Sequence, residues 1–164
     1  MPDLKWLDYS GETLDQLLSF EGEYRTDSLV VACEQAIMQK LARDGEAALS
    51  EQERAVVAVE ALEREVNNGG YQQFFVNTPE FVATIVDSLS RIGCTKTAEI
   101  TRKALDALGL PRLDVETVNA TMEEDSCARD EKLNRCDQLY YEAGEDIAGQ
   151  LFNFIKANRG ALKF

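Results

Sequence analysis

Glu60, Glu63 and Glu65 run up to Asn67 and Asn68 in the segment Glu-Ala-Leu-Glu-Arg-Glu-Val-Asn-Asn. Paired carboxylates beside an amide can do acid–base work or hold a hard cation. The rest of the chain offers that chemistry little company. It has no histidine, the commonest general base and metal ligand, and it has neither a phosphate-cradling glycine loop nor a nucleophile motif. The four cysteines, Cys33, Cys94, Cys127 and Cys136, form no C-x-x-C pair. Cys33 and Cys136 fall on apolar helix faces, where a free thiol behaves as a small hydrophobe, so a zinc site is disfavoured. Neither a metal nor a cofactor is expected, and the chain reads as a non-enzyme.

Negative charge is what the sequence has in excess. Thirty Asp and Glu stand against 17 Lys and Arg, a net charge of −13 with a pI near 4.4. Such a chain repels phosphate backbones and anionic lipid and attracts basic surfaces, so direct nucleic-acid binding is disfavoured. The acidity is blocked: residues 1–80 carry 16 acids and 6 bases, residues 81–113 carry 3 acids and 5 bases, and residues 114–146 carry 11 acids and 3 bases. Within the last block Glu123, Glu124, Asp125, Asp130 and Glu131 lie close together. Helix carboxylates at three- and four-residue spacing stand ~5–6 Å apart. One DNA strand carries a phosphate for roughly every 3.4 Å of rise. A row of such carboxylates approximates a DNA backbone and would satisfy the Arg and Lys side chains of a DNA-binding protein. A solubilising acidic face is the plainer reading of the same charge.

The elements that must position these groups are all helical. At 164 residues and 45% hydrophobic, the chain is long enough for one well-filled core and is expected to form a single domain over residues 1–164. Leu4, Trp6, Leu7 and Tyr9 form an apolar strap, and Leu14, Leu17 and Leu18 mark a short helix up to Phe20. Asp27 or Ser28 would cap a helix striped by Val30, Cys33, Ile37 and Leu41. Ser50 with Glu53 makes a capping box ahead of a central helix striped by Ala55, Val59, Leu62 and Val66. That helix should stop at Asn67-Asn68, where Gly69 or Gly70 can turn left-handed. An aromatic turn of Tyr71, Phe74 and Phe75 follows, and Thr78-Pro79 should restart a helix over 79–92. Helices over 95–108, from Asp114, through Leu133, Cys136 and Tyr140, and from Ile147 to Gly160 complete the pattern. No period-two run asks for a sheet. The fold class is all-α, a globular bundle of seven to eight helices, with the 79–92 and 95–108 helices paired by a short turn.

The amides Asn67, Asn68, Gln72, Gln73 and Asn77 can form a recognition site or tie off backbone groups at two helix ends. The segment Leu62-Glu-Arg-Glu-Val-Asn-Asn-Gly-Gly-Tyr-Gln-Gln-Phe-Phe-Val-Asn77 resembles the hallmark of a bacterial DMP-type DNA-mimic protein family, a domain formerly of unknown function. Leu89-Ser-Arg-Ile-Gly93 is similar to a Leu-x-x-Ile-Gly step of the same family, and the likeness covers roughly residues 55–110. The hallmark residues Asn67, Asn68, Gly69, Gly70, Tyr71, Phe74, Phe75 and Asn77 read, from their own chemistry, as a structural motif. The resemblance implies an acidic all-α homodimer that binds a helix-turn-helix transcription factor and keeps it off its operator. The motif itself brings no contact residues.

From the charge, partner-binding residues are expected in the second acidic block: Asp114, Glu116, Glu123, Glu124, Asp125, Asp130 and Glu131. Glu51, Glu53 and Glu60, on the expected exposed side of the central helix, come next. An inhibitor of a basic nuclease or toxin would use the same electrostatics, and a carboxylate enzyme is the remaining alternative. Met1 to Ser10 has neither a basic start nor an apolar run, and no stretch approaches the ~20 apolar residues of a membrane span. A cytoplasmic protein with reduced thiols and no membrane contact is expected.

Overall fold

Eight α-helices form among residues 3–164, the residues that the computed structural model describes; Met1 and Pro2, which open the segment read for a leader, lie outside them. The helices are α1 (Leu14–Ser19), α2 (Thr26–Asp44), α3 (Glu51–Asn77), α4 (Ile85–Arg91), α5 (Thr95–Leu108), α6 (Val115–Glu123), α7 (Cys127–Ala143) and α8 (Ile147–Ala157). Three short 3-10 turns, Glu46–Ala48, Pro79–Phe81 and Arg159–Ala161, join or end them. Among the described residues no strand forms, and only isolated bridges pair Tyr24 with Lys5 and Glu21. The all-α reading therefore holds. No helix among the described residues is long and apolar enough to cross a membrane.

The chain gathers into two compact units. The first takes residues up to Glu60 together with Asp146–Phe164, and the second takes Ala61–Glu145, so α3 belongs to both. In the first unit α2 packs against α8 and α1 packs against α2. Its core holds Leu17, Leu29, Cys33 and Ile37 with Leu151 and Ile155, all fully buried. Ion pairs between Lys156 and Glu21 (2.8 Å) and between Arg159 and Asp15 tie α8 and the turn after it to the α1 region. Of the expected N-terminal strap only Leu7 is buried, its N–H held by Ser28 Oγ at 3.1 Å, while Leu4 and Trp6 are exposed.

In the second unit α5 packs against α4 and α7. Tyr71, Phe74 and Phe75 lie fully buried with Ile85, Leu89 and Leu133. Burying each such aromatic stabilises the unit by about 2–3 kcal/mol.

Several helix ends follow the sequence. The Ser50–Glu53 capping box closes in both directions at 3.0 Å, Asp114 caps α6 through Thr117 N–H at 2.9 Å, and Gly109 and Gly144 end α5 and α7 left-handed. Others differ. Asp27 and Ser28 lie inside the first turn of α2, because Thr26 is already helical and Ser28 Oγ bonds back to the Arg25 carbonyl at 2.7 Å. Thr78 does not cap a following helix. Its hydroxyl donates to the Phe74 carbonyl at 2.8 Å and so finishes α3, and Pro79 opens only a 3-10 turn, which delays α4 to Ile85. Gly160 does not end α8, which stops at Ala157 when the Asn158 amide takes the Phe154 carbonyl at 2.9 Å.

Candidate partner-binding surface

The interruption in α3 is where the amide-rich motif does its work. Gly69 and Gly70 leave helical geometry, and Gly70 takes φ 75°, a backbone that side chains rarely adopt. A Cβ there would also overlap the Asp137 carboxylate of α7. The helix then resumes at Tyr71, where an open turn had been expected from the sequence. It can resume because the Tyr71 N–H, left over at the new helix start, is taken by Asp137 Oδ1 at 2.8 Å. Tyr71, Phe74 and Phe75 thus enter the core from one helical face, with the Tyr71 hydroxyl 2.8 Å from Thr101 Oγ1.

Of the motif's amides, Asn67 ties off a backbone group, as the plainer reading has it, whereas Gln73 and Asn77 serve a carboxylate. Asn67 Nδ2 donates to the Glu63 carbonyl at 2.6 Å. Gln73 Nε2 and Asn77 Nδ2 both donate to Glu65 Oε2, at 2.8 and 2.9 Å. Burial alone would push the Glu65 carboxyl up, but these two amides and the Arg64 guanidinium outweigh it and hold the group below its ordinary value. Glu63, two residues earlier, goes the other way. Burial pushes its carboxyl up to about 7, with Asn67 offsetting only part of this, and the Tyr140 hydroxyl donates to it.

The carboxylates of the central helix are therefore occupied inside the fold. Glu53 and Glu60, expected on an exposed side, are buried, at 1% and 8% exposure. Every residue from Ala55 to Leu62 is buried, so this stretch of α3 has no exposed side to offer. Glu53 closes the capping box and receives the Lys40 ammonium at 2.9 and 3.0 Å. Glu60 adds its charge to burial in pushing the Cys33 thiol up to about 12, which makes that cysteine inert as a nucleophile. The signal was present in the sequence: Ala-Val-Val-Ala-Val-Glu-Ala-Leu is apolar all round, the mark of a helix buried on all faces. Of the three central-helix candidates only Glu51 is exposed. Among the described residues, no three Cys, Asp or Glu side chains converge where a metal ion could sit.

The second acidic block is disposed otherwise. Asp114 is exposed at the head of α6, where its bonds to Thr117 chiefly, with help from Arg112 at 3.5 Å, hold its carboxyl below the ordinary value. Asp130 is half-buried and pairs with Arg129 at 3.1 Å. Glu116, Glu123, Glu124, Asp125 and Glu131 are exposed and make no side-chain hydrogen bond or ion pair among the described residues. Lys132 and Arg135 are exposed on the same helix as Glu131, and neither pairs with these carboxylates.

Glu123 and Glu124 sit at the carboxyl end of α6, where the helix dipole disfavours negative charge. The connection bearing them is nevertheless braced. Arg129 Nη1 donates to the Thr121 carbonyl at 2.7 Å, and Ser126 Oγ caps α7 through Arg129 N–H at 3.3 Å. The acidic connection is thus held in place by a cation that does not neutralise it.

The sequence model of DMP19-like proteins matches residues 47–158, from the turn before α3 to the end of α8. That is well over half of the chain. The chain belongs to the DMP19-like protein family. No curated protein matches it. In this DMP19-like protein the match takes in both the interrupted helix and the α6–α7 connection. The first is used up in building the second compact unit, and the second leaves its charge outward.

Proposed function

We propose that this DMP19-like protein is a DNA mimic, a non-enzymatic cytoplasmic homodimer. It binds a dimeric helix-turn-helix transcription factor through surface carboxylates and so prevents that factor from binding DNA. The observation that carries this reading is the set of exposed, unpaired carboxylates on and around the braced α6–α7 connection, Glu116, Glu123, Glu124, Asp125 and Glu131. Charges kept without local partners, two of them against a helix dipole, cost the fold and so speak for a use outside it. Asp114, Asp130 and Glu51 are further candidates with weaker claims, since each already has an interaction of its own within the fold.

The contact would work as DNA does. Arg and Lys side chains of the regulator meet carboxylates where they would otherwise meet phosphates, and a twofold regulator favours a twofold decoy. The test is capture of the partner from native lysate, followed by titration of the pair against salt and against operator DNA. Affinity should fall steeply as salt rises, and operator DNA should compete. A pair that is indifferent to salt, or that binds operator DNA as a ternary complex, rules the proposal out. A captured nuclease in place of a regulator would move the same surface chemistry to a different client.

A further inference from the structure

Arg129 makes three attachments at the junction of α6 and α7. Its backbone N–H donates to Ser126 Oγ at 3.3 Å, its Nη1 donates to the Thr121 carbonyl at 2.7 Å, and its Nε donates to Asp130 Oδ1 at 3.1 Å. The planar guanidinium reaches two acceptors in fixed directions, which a point charge on a flexible stem does not. The Thr121 oxygen also accepts the Glu124 N–H at 3.2 Å. A carbonyl oxygen has two lone pairs and serves both donors. One atom in the last turn of α6 thus holds the start of the connection and the side chain that reaches back from α7.

The Arg129 side chain is only 10% exposed, and its charge is engaged by Asp130 and by the carboxyl end of α6. The outward charge belongs to Glu123, Glu124 and Asp125, at and just beyond that helix end. Fixing the backbone of a single residue shifts an equilibrium by roughly a factor of five to thirty. A connection that is already fixed before its partner arrives avoids that loss on binding.

We propose that Arg129 is a positioning residue for partner binding, which fixes the acidic α6–α7 connection in the shape that a basic partner meets. The role rests on the reading of that connection as the surface that meets the partner. Two influences on affinity then oppose each other. By charge alone, removing Arg129 makes the protein one charge more negative and should tighten binding of a basic ligand. By positioning, the same change frees the connection and weakens binding. The second influence wins, because the guanidinium faces Asp130 and a helix end, while its bond to Thr121 ties α7 back to α6.

The test titrates a deca-arginine peptide into the isotope-labelled full-length protein and reads the dissociation constant from the amide shifts of Glu123, Glu124 and Asp125. Arg129→Met should raise that constant roughly three- to tenfold, and the amide order parameters of the same residues should fall in the free protein. Lys132→Gln removes an exposed cation from the same helix and should bind as tightly as the wild type or tighter. An Arg129→Met protein that binds as well as the wild type or better overturns the positioning role alone, as does a Lys132→Gln protein weakened to the same degree. A wild type whose three amides ignore the peptide overturns the partner-binding reading and the positioning role together. Should Arg129→Met fail to fold, the wild-type guanidinium decides. Separately resolved Arg129 Nη proton signals support the positioning role, and a single averaged signal overturns it.

Discussion

Along α3, Glu53 closes a capping box and takes the Lys40 ammonium, Glu63 takes the Tyr140 hydroxyl, and Glu65 takes two amides. Elsewhere Asp137 and Glu145 supply N–H acceptors to the resumed half of α3 and to the start of α5. Between α6 and α7, by contrast, the side chains of Glu123, Glu124 and Asp125 make no hydrogen bond or ion pair among the described residues. The same functional group is structural mortar in one region and unspent surface charge in the other. A net charge of −13 therefore overstates what is available to a partner, and the location of unpaired carboxylates says more than their number.

The comparison breaks most readily at the surface. Neutralising Glu116, Glu123, Glu124, Asp125 and Glu131 together, to Gln or Asn, should weaken binding of the basic partner on the order of a hundredfold or more. The melting temperature should hardly move. Unchanged affinity, measured by titration calorimetry, would mean that this segment is only a solubilising face.

Inside the fold the opposite pattern is expected. Lys40→Met strands the Glu53 carboxylate in a buried site and should cost about 3 kcal/mol in denaturant unfolding, with partner affinity intact. A loss of affinity in a protein that is still folded would show that Glu53 had been wrongly placed among the structural acids.

Gly70→Ala should cost about 2 kcal/mol, since φ 75° suits glycine and the added methyl meets Asp137. Wild-type stability in that variant would mean that the break in α3 can be straightened.

Glu65→Gln is the mildest change, about 1 kcal/mol at neutral pH. Because the Glu65 carboxyl is lowered in the fold, its contribution is present above the unfolded value and lost as pH falls through the folded one. The gap between variant and wild type should therefore close on acidification. A gap that widens would reverse the assignment.

The sequence carried the scaffold well wherever the deciding interaction is local. The Ser50–Glu53 box, the Asp114 cap and the glycine stops are all settled within a few residues, and the structure has them. What the sequence hid are decisions made at a distance. Tyr71 looked like part of a turn because its helix is capped by Asp137, 66 residues away. Glu53 looked exposed because its partner Lys40 lies on another helix; Glu60 alone could have been placed from the sequence, in the run 55–62 that is buried on every side. The acidic connection between α6 and α7 could be read in composition, whereas the brace from Arg129 to Thr121 that keeps it in place could not.

The cap that Asp137 lends to Tyr71 also bears on the order of assembly. The helical stretch 71–77 is too short to persist by itself in water, and the acceptor for its first N–H is synthesised only after 66 more residues. On the ribosome this stretch must wait, its aromatic rings unburied, until α7 has emerged and closed the long loop back to it. A nascent chain that stalls short of α7 would thus expose Tyr71, Phe74 and Phe75 together, as a ready target for chaperones and proteases.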